Sequence, residues 1–88
     1  MVTNLINERG YSVRNQFVIY DENGITFQSY RTKIATIKNG NVYINRNMWD
    51  YSRTTSKYLY QFLRQNNVKV YNKNDVQRLI DNGTFKTF

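Results

Sequence analysis

The dipeptide Asn39-Gly40 constrains the fold of this chain more than any other feature, because it separates two short segments that read KIATIK and NVYIN. Asn-Gly between two such runs is the strongest local signal for a β-hairpin with a type I′ turn. The turn pairs Ile37 with Val42 and Ala35 with Ile44. These four side chains form one apolar face and leave a mostly polar face opposite. Residues 33–45 therefore predict a hairpin that is covered on one side.

A second hairpin is predicted in residues 16–30, which read QFVIYDENGITFQSY. A two-residue turn at Asn23-Gly24 would mix apolar and polar side chains on both faces. A three-residue loop of residues 22–24 instead pairs Asp21 with Ile25. One face then carries Phe17, Ile19, Ile25 and Phe27. We favour the three-residue loop, because a single apolar face is what selects a strand register. Residues 16–45 are therefore interpreted as two hairpins.

Residues 50–66 predict the main helix, with Ser52 or Asp50 as its N-cap. Leu59, Phe62 and Leu63 gather on one side of this helix and would cover the sheet. Trp49 is expected in the core or at the junction of sheet and helix. Asp50 is expected to cap the helix and to pair with Arg53 or Arg46.

The remaining segments give weaker patterns. Residues 1–15 read as a short helix or a flexible arm, and residues 68–71 (VKVY) as a fifth strand. A short helix follows, capped by Asn72 or Asn74 and ended by Gly83, and residues 68–88 close with a tail that folds back on the core. The whole chain is predicted to be one α+β domain, residues 1–88. It would contain an antiparallel, four- to five-stranded meander sheet, one main helix and a short C-terminal helix.

The main helix has a second face that carries chemistry. Its residues fall at i, i+4, i+7 and i+11, and they form what we term the basic stripe: Arg53, Lys57, Tyr60 and Arg64. Cations one helical turn apart repel each other, so no local interaction favours this arrangement, whereas an anionic partner would. The alternative is an ordinary solvated helix face. The stripe is the first candidate binding site.

A tyrosine-rich sheet face is the second candidate site. The predicted registers place Tyr20, Tyr30 and Tyr43 on the outer face, with Lys38 and Arg31 nearby. Such a face could stack nucleic-acid bases, anchor a protein partner, or pack only against itself across the strands. The sequence leaves these three interpretations open.

Composition narrows the function. The chain has no His and no Cys, and none of its six carboxylates are paired with the spacing of an acid–base or metal site. We therefore expect a protein that is not an enzyme and that has no catalytic residue, metal or cofactor. Residues 25–73 carry nine Lys or Arg and one acid, Asp50, which is a net charge of +8. The net charge of the whole chain is +7, so all of the positive excess lies in this segment. This excess favours nucleic acid or an acidic protein surface as partner, although it could also serve solubility alone.

The chain shows no apolar run of ~18 residues, so no membrane span and a cytoplasmic location are expected. The oligomeric state stays open.

One part of the chain resembles a known group of proteins. The segments FQSY at 27–30, Ile34-Ala35 and WDYSRTTSKY at 49–58, followed by Phe62-Leu63, resemble an uncharacterised family of small proteins from bacteriophages and mobile elements of Gram-positive bacteria. The resemblance covers about residues 16–63 and implies a phage or prophage source.

The first functional hypothesis is contact with nucleic acid or a host nucleoprotein through the basic helix face. The alternatives are an anti-CRISPR-like inhibitor of a host defence or nucleic-acid enzyme, and a phage structural or assembly component.

Overall fold

A six-stranded sheet with two helices forms the architecture of the computed structural model, which describes all 88 residues. The strands are β1 (Val2–Ile6), β2 (Ser12–Asp21), β3 (Gly24–Ser29), β4 (Thr32–Lys38), β5 (Asn41–Ile44) and β6 (Phe85–Thr87). In the sequence, the helices α1 (Arg53–Gln65) and α2 (Lys73–Asp81) come between β5 and β6. The strands follow one another in chain order across the sheet, and only β6 runs parallel to its neighbour.

The predicted α+β class is confirmed, but the details of the sheet differ. The prediction of four to five antiparallel strands is wrong in number and in the direction of the last strand. After α2 the chain returns to the free edge of β5, where Phe85 lies opposite Val42 and is buried. The segment 68–71, predicted as a strand, is irregular, and the strand that follows β5 in the sheet is β6.

The turn at Asn39-Gly40 confirms the strongest prediction. Both residues have a positive φ, 52° and 79°, as a type I′ turn requires. Ile37 lies opposite Val42 and Ala35 opposite Ile44. Strict alternation with Ala35 predicts Ile34 on the mostly polar face, but Ile34 is fully buried. A β-bulge leaves it without a partner between Ala35 and Lys33, so the alternation of side chains breaks there.

The register predicted for the first hairpin is wrong by one residue. Tyr20 rather than Asp21 lies opposite Ile25, and Asp21 pairs with Gly24. The reason lies in β4. A Cβ atom at Gly24 would come within 2.2 Å of the Ile37 carbonyl oxygen, so this glycine permits a close approach of two strands.

The N-terminal prediction is also corrected, because residues 2–6 form a strand and not a helix or an arm. β1 pairs antiparallel with β2, and Leu5 is fully buried in the core. Residues 7–11 then turn back, with the Asn7 carboxamide oxygen accepting hydrogen bonds from the backbone N–H groups of Arg9 and Tyr11.

The core lies between one face of the sheet and the two helices, in a single cluster of 14 buried hydrophobic residues. Helix α1 contributes Leu59, Phe62 and Leu63, and the Phe62 ring packs against Phe27 with 5.7 Å between ring centroids. Trp49 is buried, as predicted. Asn72 caps α2, which buries Val76. Neither helix has the length and apolar character that a bilayer-spanning helix needs. The packing of α1 turns the basic stripe away from the sheet.

Candidate binding groove beside helix α1

All four residues of the basic stripe line one open groove of about 560 Å³, which we term the α1 groove. Its walls come from the start of α1, from the length of its outer face and from the segment that leads into α2. The lining residues are Asp50, Tyr51, Ser52, Arg53, Ser56, Lys57, Tyr60, Arg64, Tyr71 and Lys73. The helical rise from Arg53 to Arg64 gives the groove a length of about 16 Å.

The start of α1 is fixed by two serine side chains. Ser52 is the N-cap, and its hydroxyl oxygen accepts a hydrogen bond from the backbone N–H of Thr55 at 3.1 Å. The Ser56 hydroxyl donates to the Trp49 carbonyl oxygen at 3.2 Å. Because Leu59 and Phe62 hold the opposite side of α1 in the core, the rotation of the helix is set and the stripe faces outward.

Arg64 is not available to a ligand in the way its spacing suggested. Its guanidinium donates two hydrogen bonds to the Glu8 carboxylate, at 2.8 and 2.7 Å, and a third to the Val70 carbonyl oxygen at 2.8 Å. The hydrogen bond from Arg64 lowers the pKa of Glu8, and the same bond raises the pKa of Arg64. Arg64 therefore joins α1 to the β1–β2 loop and to the segment before α2.

Arg53 and Lys57 are in the opposite situation. Both side chains are exposed, and neither makes a salt bridge. The Lys57 ammonium lies 5.2 Å from the centre of the Tyr58 ring, a cation–π contact that leaves it without a neutralising negative charge. These two cations form the open end of the groove.

Asp50 is the only carboxylate that lines the groove, and its partner differs from the expected one. Lys73 rather than Arg53 or Arg46 pairs with it, at 3.3 Å, because the first turn of α2 folds back beside the start of α1. The pair is solvent-exposed, and such pairs contribute only about 0–1 kcal/mol. Lys73 can therefore exchange Asp50 for an external anion at little cost.

Three tyrosines complete the groove. Tyr60 is half-buried, and burial raises the pKa of its phenol. Tyr51 and Tyr71 are 49% and 64% exposed, with Tyr51 next to the N-cap and Tyr71 beside Arg64 near the other end of α1. Periodicity identified Tyr60, whereas Tyr71 and Lys73 reach the groove only through the path of the chain after α1. Tyr51 could have been found from its position next to the N-cap.

The predicted tyrosine-rich sheet face is not assembled. Tyr43 lies on the outer face opposite Thr36, whereas Tyr20 shares the helix-facing side with Ile25. Tyr30 lies in the β3–β4 turn with φ 55°, next to the exposed Arg31. The one-residue change of register moves Tyr20 to the other face, whereas Tyr30 is separated because β3 ends before it.

Lys38 and Tyr43 do come together, around a smaller outer-face hollow of about 380 Å³ that Lys33, Thr36, Asn23 and Phe88 also line.

The fold and the groove define a small α+β protein with a cationic, tyrosine-lined groove on the outer side of its main helix, and they bring no three carboxylates together. The chain belongs to a family of unknown function, DUF8033, whose model matches residues 2–78. This match contains the whole α1 groove and extends on both sides beyond the segment 16–63. No curated protein and no solved structure matches the chain.

Proposed function

We propose that this protein is a non-enzymatic, phage-type binding protein that contacts the backbone of nucleic acid, free or within a host nucleoprotein, through the α1 groove. The observation that carries the proposal is the pair of exposed cations, Arg53 and Lys57, that have no carboxylate partner and share one groove with three tyrosines. Phosphate groups would supply the missing negative charge.

The distribution of charge along the groove supports a bound anion. Arg53, Lys57 and Lys73 line it against Asp50, while the charge of Arg64 is already compensated by Glu8. Arg53 and Lys57 are about 6 Å apart along the axis of α1, and Lys73 lies near the start of the same helix through its pair with Asp50, so the three cations would contact a few neighbouring phosphates. Their contacts would position a backbone without reading its sequence.

The tyrosines favour a single strand over a duplex. Bases in a duplex are stacked and do not reach the rings of a protein groove, whereas a single strand offers its base faces. Tyr51 and Tyr71 are the exposed rings at the groove, and stacking on such rings contributes ~1–3 kcal/mol per base. We therefore expect tighter binding of single strands, with little sequence preference.

A protein-directed inhibitor of a host defence or nucleic-acid enzyme, as in anti-CRISPR proteins, is the second candidate. Tyr and Arg are enriched in protein interfaces, and the groove presents both residue types around an open concavity. An acidic surface of the enzyme would then occupy the groove in place of phosphate. A phage structural or assembly component is a third candidate, which a ring or larger oligomer would favour.

Fluorescence anisotropy with labelled oligonucleotides tests the proposal. The oligonucleotides are single-stranded DNA, single-stranded RNA and duplex DNA of equal length. We expect binding of the single strands that is lost in the double variant Arg53→Ala/Lys57→Ala. The matched control is Arg14→Ala/Arg46→Ala, which removes the same charge from exposed side chains outside the groove.

Two outcomes would contradict nucleic-acid binding. Equal losses in both double variants would show that overall charge, and not the groove, attracts the oligonucleotide. Absence of binding, together with recovery of one stoichiometric host protein in a nuclease-treated pull-down, would favour the inhibitor instead.

A further inference from the structure

Strand β1 forms an edge of the sheet whose outer side is unpaired. Met1 and Tyr20 exchange both backbone hydrogen bonds, each 2.8 Å long. In an antiparallel ladder these bonds alternate along the strand, so Thr3 also faces β2. The backbone N–H and C=O groups of Val2 and Asn4 consequently point outward, away from the sheet.

The edge has few of the features that usually prevent strands from associating; the register shift between Asn4 and Ile6 places its extra residues in β2 and not in the edge strand. Sheet edges are normally protected by charged side chains, proline, shortness or a covering element. Residues 2–6 contain no charge and no proline, in a chain with 13 Lys or Arg. Val2 and Ile6 are 61% and 48% exposed. The opposite edge, β6, is only three residues long and carries Lys86, so the two edges differ in protection.

The sequence of β1 is self-complementary about its centre. When two copies run antiparallel with Asn4 opposite Asn4, Val2 of each copy lies opposite Ile6 of the other. The exposed apolar side chains then cover each other, which stabilises strand pairs. The Ile6 carbonyl oxygen already accepts a hydrogen bond from the Gln65 side chain at 2.7 Å, so each Val2–Ile6 pair would rest on the Ile6 N–H group and on side-chain contact, and the pairing would end there.

We propose that two copies of this chain associate through β1, antiparallel and about a two-fold axis at Asn4, to form one continuous sheet. A second copy is the occupant we infer because its own β1 supplies the matching register of Val2 and Ile6, and because two +7 chains meet here along a segment, residues 2–6, that carries no charged side chain. Both α1 helices lie on the same side of the joined sheet, so the dimer presents two grooves. The association itself does not depend on what the groove binds.

Sedimentation equilibrium of the full chain tests the proposal through charge complementation at one position. We expect the wild-type mass to rise with concentration from 10.6 kDa towards twice that value. Asn4→Lys alone and Asn4→Glu alone should both be monomeric, because each places like charges opposite each other across the axis. An equal mixture of the two variants should dimerise again, and rising salt should weaken that dimer.

Asn47→Lys is the matched control, since it makes the same change at an exposed turn residue and should dimerise like the wild type. Circular dichroism of each variant verifies that the fold is retained. A wild-type chain that stays monomeric to about 1 mM overturns the proposal, whatever other strand the edge accepts. A dimer that persists in Asn4→Lys, or a mixture of variants that does not associate, overturns the two-fold register at Asn4.

Discussion

The two ends of the basic stripe have the same helical spacing but opposite surroundings. At one end, Arg64 donates three hydrogen bonds to Glu8 and to the Val70 carbonyl oxygen. At the other end, Arg53 and Lys57 have no carboxylate partner in the protein. Helical periodicity places a cation on a face, but only the segments that pack beside the helix decide whether its charge is available. Arg64 is expected to act on stability, and Arg53 with Lys57 on binding.

The largest effect on stability is expected at the core face of α1, because the packing of this face orients both ends of the basic stripe. Phe62→Ala removes a ring that is 1% exposed and packed against Phe27, and it should lower the free energy of unfolding by about 3–5 kcal/mol. Chemical denaturation measures the change. A loss below about 1 kcal/mol would mean that α1 is not anchored by this face, and the orientation of the whole stripe would then be in doubt.

Arg64→Ala should have the next largest effect. The variant leaves the Val70 carbonyl oxygen without its donor and removes the Glu8 ion pair, while Gln61 still accepts a hydrogen bond from the Glu8 N–H group, so we expect a loss of about 1–2 kcal/mol. Thermal and chemical unfolding would detect it. Arg64→Lys keeps the charge but not the three-donor geometry, and should recover only part of the loss. If Arg64→Ala were as stable as the wild type, the contrast between the two ends would fail.

The ion pair between Arg64 and Glu8 should also make stability depend on pH. The hydrogen bond from Arg64 lowers the pKa of folded Glu8 from its ordinary value of 4.5, so the pair's contribution is complete above that value. It is lost as the pH falls through the lowered pKa, because Glu8 must then be protonated. The wild type should therefore exceed Glu8→Gln in stability at pH 7, and the difference should shrink below about pH 4.5. A difference that is constant with pH would exclude the ionised pair as its cause.

The smallest effect on stability is expected at the open end. Arg53→Ala/Lys57→Ala removes two exposed side chains without carboxylate partners, so the free energy of unfolding should change by no more than about 0.5 kcal/mol for each substitution. A slight gain is equally consistent, because the two cations repel each other. Unfolding of the double variant would show these cations to be structural.

The hairpins show which parts of the fold the sequence could predict. The turn at Asn39-Gly40 needs two positive φ angles at adjacent residues, a requirement that is local and visible in the residue types. Gly24 also has a positive φ, 107°, but it serves a second need, namely room for the Ile37 carbonyl oxygen of β4, and a pattern confined to one hairpin does not contain that contact. The error of one residue then placed Tyr20 on the wrong face. β1 gave no signal of its own, because its sequence VTNLI has little alternation.

The candidate site also contains residues that the sequence could identify and residues that it could not. Arg53, Lys57 and Tyr60 could be identified because a helix repeats every 3.6 residues. Tyr71 and Lys73 could not, since they depend on how the chain returns after α1. The partner of Arg64 lies 56 residues away along the chain, so the stripe alone did not reveal that one of its cations was already engaged.

The central claim is that Arg53 and Lys57 at the open end contact phosphate, and the salt dependence of single-strand binding tests it most directly. For single strands, the logarithm of the binding constant falls by ~0.7 per phosphate contact for each tenfold rise in salt. The account predicts that Arg53→Ala/Lys57→Ala binds more weakly and with a slope that is shallower by about 1.4, while Arg14→Ala/Arg46→Ala keeps the wild-type slope. Identical slopes for the wild type and both double variants would contradict it.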